Sequence, residues 1–110
     1  MIDIQKLQKD ILERLMPLGL ERVILFGSFA NGTATDSSDI DLYVVTHDDT
    51  IPASWKEKKE LYLRVSRRIR DLRSQVPIDL IVHTRSMHEK FMQLNGYLAR
   101  EITQKGYRLL

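Results

Sequence analysis

Two aspartates, Asp39 and Asp41, flank the first residue of the run IDLYVV, residues 40 to 45, and a third, Asp79, is the second residue of IDLIVH, residues 78 to 83. Side chains alternate faces along a strand, so Asp39, Asp41, Tyr43 and Val45 share one face while Ile40, Leu42 and Val44 share the other. In the later run Ile78, Leu80 and Val82 form the aliphatic set, and Asp79 points the other way with Ile81. If the two strands are neighbours, three carboxylates converge on one open face. Ionised together they repel one another, and burying a charge without a partner is costly. Oxygen ligands grouped in this way suit a hard cation such as Mg²⁺, which takes one or two protein carboxylates and completes its octahedron with waters and substrate phosphates. The chemistry therefore points to a phosphorylated substrate.

Gly27 and Ser28 supply the complementary half. A glycine lets backbone N–H groups approach a phosphate, and a serine hydroxyl donates to one. A short helix over residues 28 to 31 would add a favourable dipole, with Gly32 ending the turn. The chain has no G-x-x-x-x-G-K-[ST] and so no Walker-type phosphate loop.

The elements that must position these residues follow from periodicity. Ile4, Leu7, Ile11, Leu12 and Leu15 recur at helical spacing behind Asp3, predicting a first helix over about residues 3 to 16. VILF, residues 23 to 26, reads as a buried strand stopped by Gly27. Ser54 and Glu57 form a capping box ahead of one long helix carrying Leu61, Val65, Ile69, Leu72 and Val76. Ser86 and Glu89 form a second, ahead of Met87, Phe91, Leu94, Leu98 and Ile102, with Gly106 at the C-cap. The tail YRLL adds a short fourth strand. The expected fold class is thus α/β (α+β): a small mixed β-sheet with helices packed on one face, in a single domain over residues 1 to 110.

Composition narrows the function. Hydrophobic residues are 43% of the 110 and charged residues 29%, ordinary for a globular protein and too apolar for a disordered one. Seventeen Lys and Arg against fifteen Asp and Glu leave a net charge of +2, no basic tract for a polynucleotide. Without cysteine there is no disulfide, thiolate zinc site or Cys nucleophile. Charged residues near the N-terminus and the lack of a transmembrane-length apolar run predict a cytoplasmic protein with no membrane contact.

Gly27-Ser28, ten intervening residues and Asp39-x-Asp41 form a pattern that resembles the polymerase β-like nucleotidyltransferases, and GSFANGTATDSSDIDLYVV is similar to their minimal bacterial and archaeal members. The likeness extends to the preceding helix, to Asp79 at the start of a later strand and to the ending LAREITQKGYRLL. It implies that Asp39, Asp41 and Asp79 are catalytic and hold metal, with two Mg²⁺ ions on the first two. It also implies that Gly27 and Ser28 hold the outer phosphates of a nucleoside triphosphate, with Asp79 either a metal ligand or the general base. Members often read Gly-Ser-Arg-Ala-Arg-Gly, whereas here Phe29 and Asn31 replace the arginines. The resemblance further implies ATP as substrate and a small helical HEPN-domain toxin as partner, adenylylated on a tyrosine by this chain as antitoxin; homo-oligomers are compatible with it. The alternative, favoured by the missing arginines, is a non-catalytic module that neutralises its partner by contact.

Other features read more plainly. Thr35, Asp36, Ser37 and Ser38 fit a turn. His47, His83 and His88 lack metal-ligand spacing and read as surface or strand-end residues, while Trp55 reads as packing. RVSRRIRDLR, residues 64 to 73, reads as a solvated face or a docking face for an acidic partner.

Overall fold

A computed structural model describes residues 3–32, 34–35 and 38–110, with the side chain of Asn31 also left aside; Asp36 and Ser37, expected in a turn, lie outside the described residues. Four strands, β1 (Arg22–Phe26), β2 (Ile40–Val45), β3 (Ile78–His83) and β4 (Tyr107–Arg108), form one sheet in the order β3-β2-β1-β4. β2 pairs antiparallel with β1 and parallel with β3, and β4 pairs antiparallel with β1.

The aliphatic sets of the strands share one face, as alternation requires. Val23, Leu25, Ile40, Leu42, Val44, Ile78 and Val82 pack there against Leu7, Ile11 and Leu15 of α1 (Ile4–Leu15) and Leu61 and Val65 of α3 (Trp55–Ser66). Each such side chain, fully buried, contributes roughly 1.5–3 kcal/mol. Asp3 caps α1 by accepting the Lys6 N–H at 3.2 Å.

The expectation of helices on one face needs correction. α5 (Arg85–Leu94) and α6 (Tyr97–Lys105) cover part of the second face, where Phe26, Tyr43, Val45 and Ile102 are buried with Phe91 and Leu98 packed against them. The cause is in the strands: past Asp41, the face carrying the carboxylates turns apolar and must itself be covered.

Two helices also break where periodicity predicts continuity. The long helix gives way at Ser66 to a 3-10 turn, Arg67–Ile69, before the short α4 (Arg70–Arg73). The break brings Arg68 Nε onto the Arg14 carbonyl at 2.9 Å and sets the Asp71 carboxylate against the Arg14 guanidinium, with contacts of 2.6 to 3.0 Å. Asn95, in the left-handed region at φ 48°, separates α5 from α6. Leu94, placed on the stripe by its spacing, is consequently 82% exposed. Thr84, not Ser86, caps α5, accepting the Met87 N–H at 3.1 Å, while the Ser86 hydroxyl donates to the Asp49 carbonyl. Trp55 is 86% exposed and packs against nothing in the core.

The histidine reading is corrected in part: His83 does end β3, but both it and His88 are half-buried beside the second core. Tyr43 is fully buried, and its hydroxyl lies 2.9 Å from His83 Nδ1 and 2.7 Å from His88 Nδ1. One imidazole accepts the Tyr43 proton, so the other must donate its own N–H to the phenolic oxygen. Phe91 stacks on Tyr43 and meets His83 edge-on. Burial pushes the Tyr43 pKa up; burial, then the neighbouring His88 charge, pushes His83 down to about 4.

Two stability measurements follow. His83 is neutral when folded, whereas the unfolded chain takes up its proton near an ordinary value of about 6.5. The stability it contributes is therefore complete above that value and is lost as pH falls toward 4. Urea midpoints should decline across this window, and less so in His83→Asn. Tyr43→Phe leaves buried imidazole nitrogen unpaired and should cost about 1–3 kcal/mol, read as a lower urea midpoint at neutral pH.

Candidate active site

β1 ends at Phe26, whose register partner is Asp41. Gly27 then takes φ 75° and ψ −152°, a conformation that side-chain-bearing residues avoid. A Cβ at Gly27 would overlap Asp41 Oδ2 and come within 3.1 Å of its Cγ. The missing side chain is thus the space that the Asp41 carboxylate occupies. The chain turns immediately into the four-residue α2 (Ser28–Asn31), with the Ala30 N–H donating to the Gly27 carbonyl at 3.1 Å and the Gly32 N–H to that of Ser28. Phe29 packs, partly buried, against the main core, which anchors the turn where an arginine would face solvent.

Asp79 is the register partner of Asp41 across the parallel pair, so their side chains leave the same face of adjacent strands, about 4.8 Å apart in backbone spacing. Asp39 stands exposed just ahead of β2. Ahead of it, the Thr35 N–H donates to Ser38 Oγ at 2.9 Å and the Ser38 N–H to the Thr35 carbonyl at 3.0 Å. All five residues singled out in the sequence therefore lie at one end of the sheet.

Asp41 is the half-buried member, and its pKa is raised by burial first, then by the charges of Asp79 and Asp39. Asp79 and Asp39 are exposed, and among the described residues no cation or donor compensates any of the three. No three ligating side chains among the described residues already enclose a common point. The donor set nonetheless fits a hard divalent cation, since it is all carboxylate and its most buried member lacks a positive partner.

A cavity of about 610 Å³ lies elsewhere, lined by Asp48, Ile51, Glu57, Arg64 and Thr84 among others. Asp48 is ion-paired with Arg64 there, which holds its carboxyl below the usual range. Arg22 escaped the sequence reading, although alternation along β1 puts it on the same face as Phe26; it bears on a second cavity considered below.

This geometry defines a mixed α/β protein that gathers carboxylates beside a glycine turn at one end of its sheet. The family model described as "Polymerase beta, Nucleotidyltransferase" matches residues 6–109, and the chain belongs to that family. A search of the curated proteins gave no match. Among solved structures, the chain is similar to a toxin-antitoxin complex with AMP-PNP, at 22% identity and a TM-score of 0.58, covering 94% of this chain and 72% of that one. A putative nucleotidyltransferase from Sulfolobus solfataricus has 22% identity and a TM-score of 0.57, covering 96% and 77%. A tri-AMPylated Shewanella oneidensis HEPN toxin in complex with MNT antitoxin gives 20% and 0.51, covering 96% and 71%. At these identities the likenesses show the fold.

Two substitutions test the geometry without any ligand. Gly27→Ala should destabilise the fold by about 1–3 kcal/mol, the cost of a strained backbone, read by denaturant titration. Asp41 has a raised pKa, so its ionised form is disfavoured in the folded state above that pKa; Asp41→Asn should raise the melting temperature at neutral pH in EDTA.

Proposed function

We propose that this chain is a Mg²⁺-dependent nucleotidyltransferase that moves AMP from ATP onto a hydroxyl, releasing pyrophosphate. The observation that carries the reading is the register pairing of Asp41 with Asp79 beside the side-chain-free Gly27. Asp39, Asp41 and Asp79 would hold two Mg²⁺ ions, which when bound supply electrostatic stabilisation to the attacking and leaving oxygens of an in-line displacement.

The remaining roles belong to the chain's own residues. Gly27 keeps the phosphate approach open, since any side chain there would fill the space beside Asp41. The Ser28 and Phe29 N–H groups at the start of α2 have no intrahelical acceptor and, with the Ser28 hydroxyl, donate to the outer phosphates. Asp79 lies on an edge strand and is exposed, within reach of an acceptor arriving from outside. Its carboxylate takes the hydroxyl proton as the oxygen bonds to the α-phosphorus and the bond to pyrophosphate breaks.

The acceptor in this reading is a tyrosine of a small helical HEPN-domain toxin, with the chain acting in the cytoplasm as antitoxin. Support comes from the similar structures, two of which are toxin-antitoxin complexes, one with AMP-PNP and one with a tri-AMPylated HEPN toxin. Among the described residues no helix is long and apolar enough to cross a membrane.

The test is to incubate the chain with ATP, Mg²⁺ and the HEPN protein of its own host and to follow intact mass. The partner should gain the mass of AMP at tyrosine; no gain should occur with Asp39→Ala, Asp41→Ala, and Asp79→Asn should slow transfer by roughly 10²-fold or more. Full neutralisation of the toxin by the double variant, with no mass gain in either case, would replace catalysis by contact.

A further inference from the structure

A second cavity, about 360 Å³, opens between the β4 side of the sheet and α5 and α6. Arg22 and Arg108 supply its charge, His88 and Thr103 its neutral polar groups, and Ile24, Ile102 and Met92 its apolar surface. Arg108 is the register partner of Ile24, and Arg22 stands two residues from Ile24 on the same strand, so both arginines leave the same face. Gly106 closes one wall: a Cβ there would overlap the Ile102 carbonyl oxygen and sit 2.7 Å from Ile24 Cγ2.

Neither arginine is ion-paired among the described residues, and Arg22 Nε is buried without a hydrogen-bond partner. Acids nearby in sequence are engaged elsewhere, Glu21 with Arg85 at 2.9 Å and Glu101 with Lys105 at 3.7 Å. The Thr103 hydroxyl makes only a weak 3.4 Å contact to Met92 Sδ and can turn to a better acceptor. A buried guanidinium nitrogen left unsatisfied is an unfavourable arrangement that an anion would relieve.

The charge selects the anion. A carboxylate would neutralise one arginine and leave the other; a phosphate dianion balances both and has enough oxygens for two guanidinium groups and a hydroxyl. The apolar surface and the volume leave room for an organic group beyond the phosphate. On β1, Arg22 faces Val45 while Phe26 faces Asp41, so four residues, about 13 Å of strand, separate Arg22 from the position facing Asp41. We propose that the cavity is a binding site for a small phosphomonoester, separate from the triphosphate site at the Gly27 turn.

The experiment is a two-dimensional amide NMR titration of the whole chain in EDTA with inorganic phosphate, phenyl phosphate and acetate. Both phosphates should give saturating shifts at Thr103, Gly106 and Arg108, with phenyl phosphate the tighter and acetate far weaker. Arg108→Gln, on an exposed two-residue strand, should weaken binding severalfold with the fold intact, and Arg22→Gln with Arg108→Gln by roughly tenfold or more. The Asp39→Ala, Asp41→Ala variant should bind as the wild type does. Absence of saturation through tens of millimolar phosphate, or unchanged affinity in the arginine variants, would overturn the proposal. Acetate binding as tightly as phosphate would overturn it in favour of a docking point for a partner's carboxylate.

Discussion

The position of β2 governs the rest of the molecule. It is paired on both edges, by β1 and β3, and packed on both faces, so that Ile40, Leu42, Tyr43, Val44 and Val45 are all shielded from solvent. A carboxylate within such a strand is tolerable only where one neighbour is missing. Gly27 provides that place, because its lack of a side chain at the end of β1 leaves room beside Asp41. Moved two residues further along β2, the same carboxylate would stand where Tyr43 stands, among Phe91 and two imidazoles, with no water to solvate it.

The charges elsewhere sharpen this contrast. Asp48, Asp71 and Glu21 each face an arginine, and each has its carboxyl held below the usual range by that partner's hydrogen bonds and charge. At the head of β2 the sign is opposite: Asp41 is raised by burial and by two more carboxylates. A chain with arginines to spare leaves these three acids uncompensated at one end of the sheet. Exposure of Asp39 and Asp79 limits the repulsion, since water screens them, and it leaves both reachable from outside. A perturbed acid among other carboxylates is a mark of functional sites, and the surrounding ion pairs show that the chain can pair its acids where nothing opposes it.

Much of this was legible because strand periodicity is short and strict. Alternation alone put Asp41 and Asp79 on one face and Ile40, Leu42 and Val44 on the other, and the Gly-Ser turn marked the end of β1. Helical periodicity was less informative, because a stripe carries no record of a break. Asn95 in the left-handed region and the 3-10 turn at Arg67–Ile69 left the apolar spacing readable while ending the helices. The second core was missed for a related reason: Tyr43, Val45, Phe91 and Ile102 come from three elements, and no local pattern announces that they meet. His83 and His88 read as surface or strand-end residues because their partner is the hydroxyl of Tyr43, distant in sequence, and Arg22 and Arg108 read as ordinary cations because their proximity depends on the pairing of β4 with β1.

The two ends of the second face are consequently chemical opposites. From the acidic end, the face runs through buried Tyr43 and half-buried Ile24 to Arg108, which faces Ile24, and Arg22, which faces Val45. Arg22 stands about 13 Å along the strand from the residue that faces Asp41, more than the roughly 8 Å over which exposed charges interact strongly at physiological salt, and Arg108 is held off by the width of β1. The aromatic layer formed by Tyr43, His83, His88 and Phe91 therefore does more than fill the space under α5. By holding the hydroxyl of Tyr43 and the imidazoles in mutual hydrogen bonds it gives the middle of the face no net charge, so each end keeps its own sign and remains open to a ligand of the opposite one.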